Sequence, residues 1–270
     1  MVMICHRGPL PPLAVMTRQP RLLAILQLFE QGQPALTVED MAAALGMPTS
    51  TTYRHVRSLV QGGLLDPVTG AAYALGPGFI RYDRVLRQND ELVRIADPVM
   101  RDLLASTRRS ATVVLSRRFK DCVMCVHEVA GDRRHPATSY ERGVAMPLFL
   151  GATSKVILAN LPDRTLKGVY LANERAIKNA LHVNDWQDFK TQFRDIRRAG
   201  YALTDSEVAA GRVGLAAPIS RAGQVVAGLS LVIVPTKTER SKVAQFIPQV
   251  IAAAEKISRA LSSRAPLISR

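Results

Sequence analysis

The sequence predicts an α+β chain in two unlike parts, a small helical module followed by a larger mixed domain. Residues 36–75 (LTVEDMAAALGMPTSTTYRHVRSLVQGGLLDPVTGAAYAL) read as two short helices and a hairpin. From Ala111 the character changes to β-rich runs, ATVVLSRR and then CVMCVHE. Those runs mix with helical segments without a regular strand–helix–strand alternation, which favours an antiparallel sheet. At 270 residues and 47% hydrophobic, the chain can bury two cores.

The first helix is expected from Pro20 to Gln31, with Leu22, Ile25, Leu26 and Phe29 along one stripe. Thr37 and Asp40 form a capping-box pair ahead of Val38, Met41, Ala42 and Leu45, spaced i, i+3, i+4, i+7. Gly46 suits a left-handed helix end, and Pro48 keeps the helix from running on. Thr49 is expected to cap a second helix, Ser50 to about Gly62. At about 100° per residue, Tyr53, Val56, Leu59 and Val60 share its inner face. Ser50, Thr51, Arg54 and Ser58 share the outer one, flanked by His55 and Arg57. Short hydroxyls and a guanidinium without a carboxylate suit a DNA major groove. Asp66 to Gly70 reads as a turn between two strands, the wing of a winged helix-turn-helix. An ordinary helical hairpin with a polar outer face is the other reading of this pattern. The candidate DNA contacts are Arg18, Thr49, Ser50, Thr51, Arg54, His55, Arg57, Ser58 and Arg81. Ser50, Thr51 and Arg54 would face bases, and Arg18, Arg57 and Arg81 would hold phosphates.

Gly76-Pro77-Gly78 breaks the chain before a charged linker helix, Phe79 to Arg87. A helix from Glu91 to Ser106 follows, with Pro98 expected to bend or interrupt it. The strand runs Ala111–Arg118 and Cys122–Glu128 flank a turn, and a polar loop follows at Gly131–Pro136. Helices are expected at Gly151–Asn160 and Asn184–Ala199, the second carrying Trp186, Phe189, Phe193 and Ile196. Strands follow at Tyr201–Thr204, Gly214–Ile219 and Gln224–Val234, then a last helix from Lys237 to Ser262. The expected domains are a disordered arm (1–16), the winged module (17–78), a linker helix (79–91) and the mixed domain (92–270).

The net charge of +14 suggests an anionic partner, but its distribution qualifies that. Residues 1–80 hold five Arg, no Lys and four acids, so the reading module is nearly neutral. Arg81, Arg84 and Arg87 just beyond it are placed to add phosphate contacts. No apolar run reaches membrane-span length and no signal peptide is recognised, so a soluble protein without membrane partners is expected, and the few cysteines fit a reducing cytoplasm. Three cysteines give no disulfide framework.

The ordered motifs resemble the isocitrate-lyase-regulator (IclR) family of bacterial transcription factors over nearly the whole chain after Met16. The segment Leu45–Arg54, the wing end Ala72–Gly76 and the pair Pro147-Leu148 followed by Gly151–Ala159 carry the likeness. Arg197–Tyr201, Glu207, Gly211, Ala216–Ile219 and Ala227–Ser230 complete the series. The resemblance implies a homodimer or homotetramer whose GAF-like C-terminal domain binds a small organic acid and whose DNA operator is roughly palindromic. It implies effector contacts at Met146, Phe149, Ala152, Thr153, Thr204, Asp205, Gly214, Leu215, Ser230 and Val232. The chain departs from the family pattern at Ser154, Thr204, Gly214 and Val232, which predicts a roomier, more apolar pocket suited to an aromatic carboxylate. The acid would meet the backbone N–H groups of Ala152 and Thr153 at a helix start.

Other chemistries find less support. Cys122 and Cys125 have a metal-ligand spacing, but on a strand i and i+3 point to opposite faces. Gly151–Lys155 lacks the Gly-Lys-Ser/Thr of a phosphate loop, and Lys155 is expected to be solvated or ion-paired. No hydrolase, zinc-protease or dinucleotide fingerprint is present, so neither enzyme activity nor a cofactor or metal is expected. Asp205 and Glu207 fit a surface or capping role as well as a pocket role. The alternative from a different class is a stand-alone sensor or enzyme that uses the N-terminal module only for association.

Overall fold

The computed structural model describes residues 20–107, 111–131, 141–235 and 240–263. The chain divides between Asn89 and Asp90 into two compact units. Arg18, the arm before it, nearly all of the polar loop after Gly131 and the expected start of the last helix lie outside the described residues.

The first unit begins with α1 (Arg21–Leu28), extended by a 3-10 turn at Phe29–Gln31. A two-residue strand, β1 (Leu36–Thr37), leads into α2 (Val38–Leu45). The capping box forms as expected: Thr37 Oγ1 accepts from the Asp40 N–H, and Asp40 Oδ2 accepts from the Thr37 N–H, both at 3.1 Å. Gly46 ends α2 in the left-handed region. The second helix, α3 (Thr49–Gln61), starts one residue before the expected position, so Pro48 rather than Thr49 is its N-cap. Ile25, Phe29, Met41, Val56, Leu59 and Leu65 make the unit's core.

Tyr53 does not belong to that core; it is exposed, and Thr52 is buried in its stead. Thr52, Val56 and Leu59 follow i, i+4, i+7, and the Thr52 hydroxyl satisfies itself by donating to the Pro48 carbonyl at 3.2 Å. The wing pairs β2 (Leu65–Val68) with β3 (Ala72–Leu75), and β3 also pairs with β1. Asp66, Pro67 and Val68 therefore lie in a strand rather than in the turn, which falls at Thr69–Ala71. Pro67 is tolerated because β2 is an edge strand. The unit ends in α4 (Gly78–Asn89).

The second unit opens with α5 (Glu91–Ser106), N-capped by Asp90. Pro98 lies inside this helix without ending it. The strands are β4 (Ala111–Phe119), β5 (Cys122–Ala130) and β6 (Ala145–Pro147), the last unexpected from sequence. Then come α6 (Ala152–Ala159), α7 (Asp163–Leu181) and α8 (Trp186–Ala199). The chain closes with β7 (Ala202–Asp205), β8 (Val213–Arg221), β9 (Gln224–Ile233), a 3-10 turn at Arg240–Phe246 and α9 (Ile247–Ser262). The six strands form one antiparallel sheet in the order β6-β5-β4-β9-β8-β7.

Alternation along the strands sends side chains to two faces. Val113, Leu115, Leu215, Ala217, Leu229 and Leu231 pack against α5 and α9. The opposite face carries α6, itself backed by α8, with Leu158, Tyr170, Phe189 and Phe193 in a second core. All eight residues of α6 are buried because it lies between sheet and helices. Gly228 permits that approach, since a Cβ there would fall 2.8 Å from Thr153 Cγ2.

Candidate functional site

The outer face of α3 presents Ser50, Arg54, Arg57 and Ser58 to solvent, with Thr51 and His55 half-buried on one flank. Thr49 is exposed at the helix start, and Arg81 is exposed on α4. The Arg54 guanidinium lies 3.5 Å from Thr51 Oγ1, while the Ser58 hydroxyl donates to the Arg54 carbonyl at 3.1 Å. Arg81 sits 5.6 Å from the Tyr82 ring centroid. Tyr53, one turn after Ser50 and one before Arg57, joins the outer face; its apolar ring had placed it in the core by pattern. The wheel reading that puts Thr52 inside would have found it.

In the second unit, a small cavity lies between the start of α6 and the sheet face beneath it. Its lining includes Ala152 and Thr153 from α6, Thr204 from β7, Gly214 from β8, and Ser230 and Val232 from β9. Six of the expected contacts are therefore brought together from four separate elements. Ala152 and Thr153 do open a helix, with Gly151 as its cap, so their backbone N–H groups belong to the unsatisfied first turn. The Ser230 hydroxyl is 1% exposed and has no hydrogen-bond partner among the described residues. A buried, unpaired hydroxyl in a cavity wall is costly unless something in the cavity completes it.

Four expected contacts are not in the lining. Leu215 neighbours Gly214 on β8, so it points to the other face and packs in the core with α5 and α9. Asp205 follows Thr204 on β7 and is turned outward for the same reason, ion-paired with Arg240 and accepting from Ser206 Oγ at 2.7 Å. These two hydrogen bonds, Arg240's first, hold its carboxyl below the usual range. Phe149 is buried in the core beside Leu148 and Phe189. Met146 stands one layer back, packed with Val114, Cys125, Val208 and Val232.

The loop Ser206–Arg212 also closes the cavity: Glu207, for which a pocket role was one of two readings, lines it together with Val208, Ala209 and Arg212, which sequence reasoning missed. The loop is folded on itself: the Ser206 N–H donates to the Arg212 carbonyl at 2.7 Å, and the Gly211 N–H to Ser206 Oγ at 3.1 Å. Glu207 turns inward, Oε2 accepting from the Gly151 N–H at 3.1 Å and Oε1 from Lys155 Nζ at 2.5 Å. Lys155 is thus ion-paired and buried, its side chain 5% exposed, rather than solvated. The space enclosed is about 30 Å³, room for one or two waters. The cavity is tight, not roomy as the sequence suggested. A Cβ at Gly214 would lie 3.1 Å from Thr204 Oγ1 and 3.4 Å from Ala152 Cβ, so the neighbours have closed over the room left by the small residue.

Cys122 is half-exposed and Cys125 buried on β5; burial pushes the Cys125 thiol up to about 12, with Glu128 adding to it. That is the state of an inert core thiol. No helix among the described residues is long and apolar enough to cross a membrane.

A helix with a polar outer face and a wing, followed by a sheet domain with a small cavity at a helix start, is the architecture of a ligand-binding DNA-binding protein. Residues 20–68 match the IclR helix-turn-helix domain, and residues 85–259 match the C-terminal domain of bacterial IclR transcriptional regulators. The chain belongs to the IclR family, and it is a DNA-binding transcriptional regulator with a ligand-binding C-terminal domain. It is 25% identical to the regulator KipR of Bacillus subtilis over 241 residues, covering 88% of this chain and 94% of that one. It is 22% identical to the transcriptional repressor IclR of Escherichia coli, covering 89% and 88%. Among solved structures, an IclR homolog from Microbacterium hydrocarbonoxydans complexed with 4-hydroxybenzoate superposes with a TM-score of 0.71 at 20% identity, covering 90% and 98%. The Thermotoga maritima IclR gives a TM-score of 0.62 at 24% identity, covering 89% and 97%.

Proposed function

We propose that this regulator binds an approximately palindromic operator as a homodimer or homotetramer in the cytoplasm and is controlled by a small organic acid, with an aromatic carboxylate as the favoured class. The observation that carries the effector reading is the unpaired, buried Ser230 hydroxyl facing the first turn of α6 across the cavity. A carboxylate there meets backbone N–H donors, the positive end of a helix and a hydroxyl at once. The likeness to a 4-hydroxybenzoate complex supports the aromatic class. Dimerisation is supported by α4, which leaves Phe79, Tyr82 and Leu86 exposed at i, i+3, i+7. Two copies of α3 would then enter successive major grooves, Ser50, Thr51, Tyr53 and Arg54 toward base edges and Arg57, Arg81 and Arg18 toward phosphates.

An effector alters DNA affinity only in so far as it binds one arrangement of the protein better than another. A thermal-shift screen against organic acids, followed by calorimetry, tests the effector: aromatic acids should raise Tm. Binding of glyoxylate or pyruvate with no response to aromatic acids would overturn the aromatic class. Gel shift against DNA upstream of the gene tests the reader. Arg54→Ala should weaken the specific complex by about 1–3 kcal/mol if the guanidinium reads a base. Unchanged retardation by that variant would mean non-specific adhesion.

A further inference from the structure

The Ser206–Arg212 loop places a carboxylate of the protein itself at the start of α6, next to the Ala152 and Thr153 N–H groups where an acid effector is expected. Glu207 reaches the Gly151 N–H at 3.1 Å and Lys155 Nζ at 2.5 Å, so it holds both the backbone N–H of the residue that caps α6 and the buried ammonium behind it. The same loop fills the cavity with Val208 and Ala209. About 30 Å³ remains, which admits a carboxylate group but not a benzene ring or a carbon chain attached to it. An organic acid larger than that seats fully within the cavity only by displacing this loop. Lys155 sets the terms of the displacement. Its side chain is 5% exposed, and a buried ammonium stripped of its carboxylate is strongly destabilising. A neutral molecule that pushed Glu207 aside would leave Lys155 unpaired; an anion would not. The Ser230 hydroxyl, without a protein partner among the described residues, gives a polar contact that a molecule entering the cavity can complete.

We propose that Glu207 is the pocket's internal ligand, and that an acid effector binds by exchanging its carboxylate for that of Glu207 on Gly151 and Lys155, releasing the Ser206–Arg212 loop as the switching element. The proposal rests on the acid-pocket reading given above. It makes Lys155 the selector for charge and Glu207 the competitor that sets the effector concentration at which the regulator responds. The loop is suited to move as a unit, because its hydrogen bonds from Ser206 to Gly211 and Arg212 are internal. Its tether to the rest of the domain includes Glu207 itself and, just before the loop, the Asp205–Arg240 ion pair.

Two measurements on the full chain test this. The first needs no effector: amide hydrogen exchange at residues 206–212 in wild type and in Glu207→Gln. The amide keeps the shape but gives up the charge, and exchange should rise by tenfold or more; unchanged exchange overturns the proposal. The second is calorimetric titration with 4-hydroxybenzoate, pyruvate and, as an uncharged control, 4-hydroxybenzamide. Glu207→Gln should bind an acid about tenfold more tightly than wild type. The acid should raise loop exchange in wild type toward the variant's level, and the amide should bind neither. Acid binding that is equal or weaker in Glu207→Gln overturns the exchange while leaving the acid pocket standing. Folded proteins that bind neither acid overturn the acid-pocket reading and the exchange with it. The double variant Lys155→Met with Glu207→Gln removes both charges together, leaving no unpaired ion if the single variant fails to fold. It should show the raised loop exchange but bind the acid more weakly than wild type, and tight acid binding without Lys155 overturns its assigned role.

Discussion

Gly76 and Gly78 bring the chain out of the wing against the backbone that ends α3. The Gly76 N–H donates to the Leu64 carbonyl at 2.9 Å, and the Gly78 N–H to the Gly63 carbonyl at 2.8 Å. A Cβ at Gly76 would sit 2.5 Å from the Gly63 oxygen, and one at Gly78 would sit 2.6 Å from it. A carbonyl fixed by its own hydrogen bond cannot step aside as a side chain tip can. Gly76→Ala should therefore destabilise the first unit by about 1–3 kcal/mol, read as a lower denaturation midpoint, while Gly70→Ala at the wing tip meets no atom within 4 Å and strains only its φ of 80°. Charge at the residue scale is legible in Asp97, which accepts from Arg101 Nε at 2.8 Å and lies 2.8 Å from His127 Nε2. The hydrogen bond from Arg101, then that from His127, holds its carboxyl below the usual range against the effect of burial. Because the folded-state value is the lower one, this stabilisation is complete above the unfolded value near 4 and fades as pH falls through the folded one. Asp97→Asn should lower Tm at pH 7, and the gap to wild type should close as melts are taken down toward pH 3. A gap that persists at the lowest pH would contradict the assignment.

At the scale of elements, those with one clear local cause were readable. The Thr37–Asp40 box starts α2 and Gly46 ends it. Thr37→Ala removes the cap hydroxyl and should cost about 1 kcal/mol, measurable by urea denaturation; a change below a few tenths would mean β1 alone holds the helix start. α7 was not readable. Its buried stripe of Leu166, Val169, Tyr170, Ile177 and Leu181 is interrupted where Asn173 stands, with non-helical backbone and its amide donating to the Val169 carbonyl at 2.9 Å. α6 shows no amphipathic period because sheet and helices enclose it on all sides. Tyr53 shows the converse error, an apolar ring assigned inward when a smaller Thr52, able to satisfy its hydroxyl within the helix, fits the core.

Across the molecule, two units carry two tasks: the first reads, the second senses. The nearly neutral N-terminal segment argues that DNA recognition depends on the geometry of α3 and on the arginines of α4 more than on bulk charge. The exposed stripe of α4 bears on assembly. Replacing Tyr82 and Leu86 together by Glu should shift the chain toward a smaller species in sedimentation or light scattering, with operator affinity reduced at least tenfold. An unchanged oligomer would place the assembly surface elsewhere.

By itself the sequence determined the order of the parts: the paired helices, the hairpin, the linker helix and the mixed domain show in caps, turns and periodicity within a few residues, and the ordered family motifs made the second helix a reader and the hairpin a wing. It also indicated six residues of the cavity through the family's motifs. Tertiary structure alone decided which neighbours on a strand face the cavity, setting Gly214 and Thr204 inward and Leu215 and Asp205 away. It alone brought Glu207 onto Lys155, 52 positions earlier in the chain. The reason is physical. Helix caps and turns are settled by bonds within a few residues, whereas a cavity is enclosed by groups that become neighbours only when sheet, helix and loop pack together.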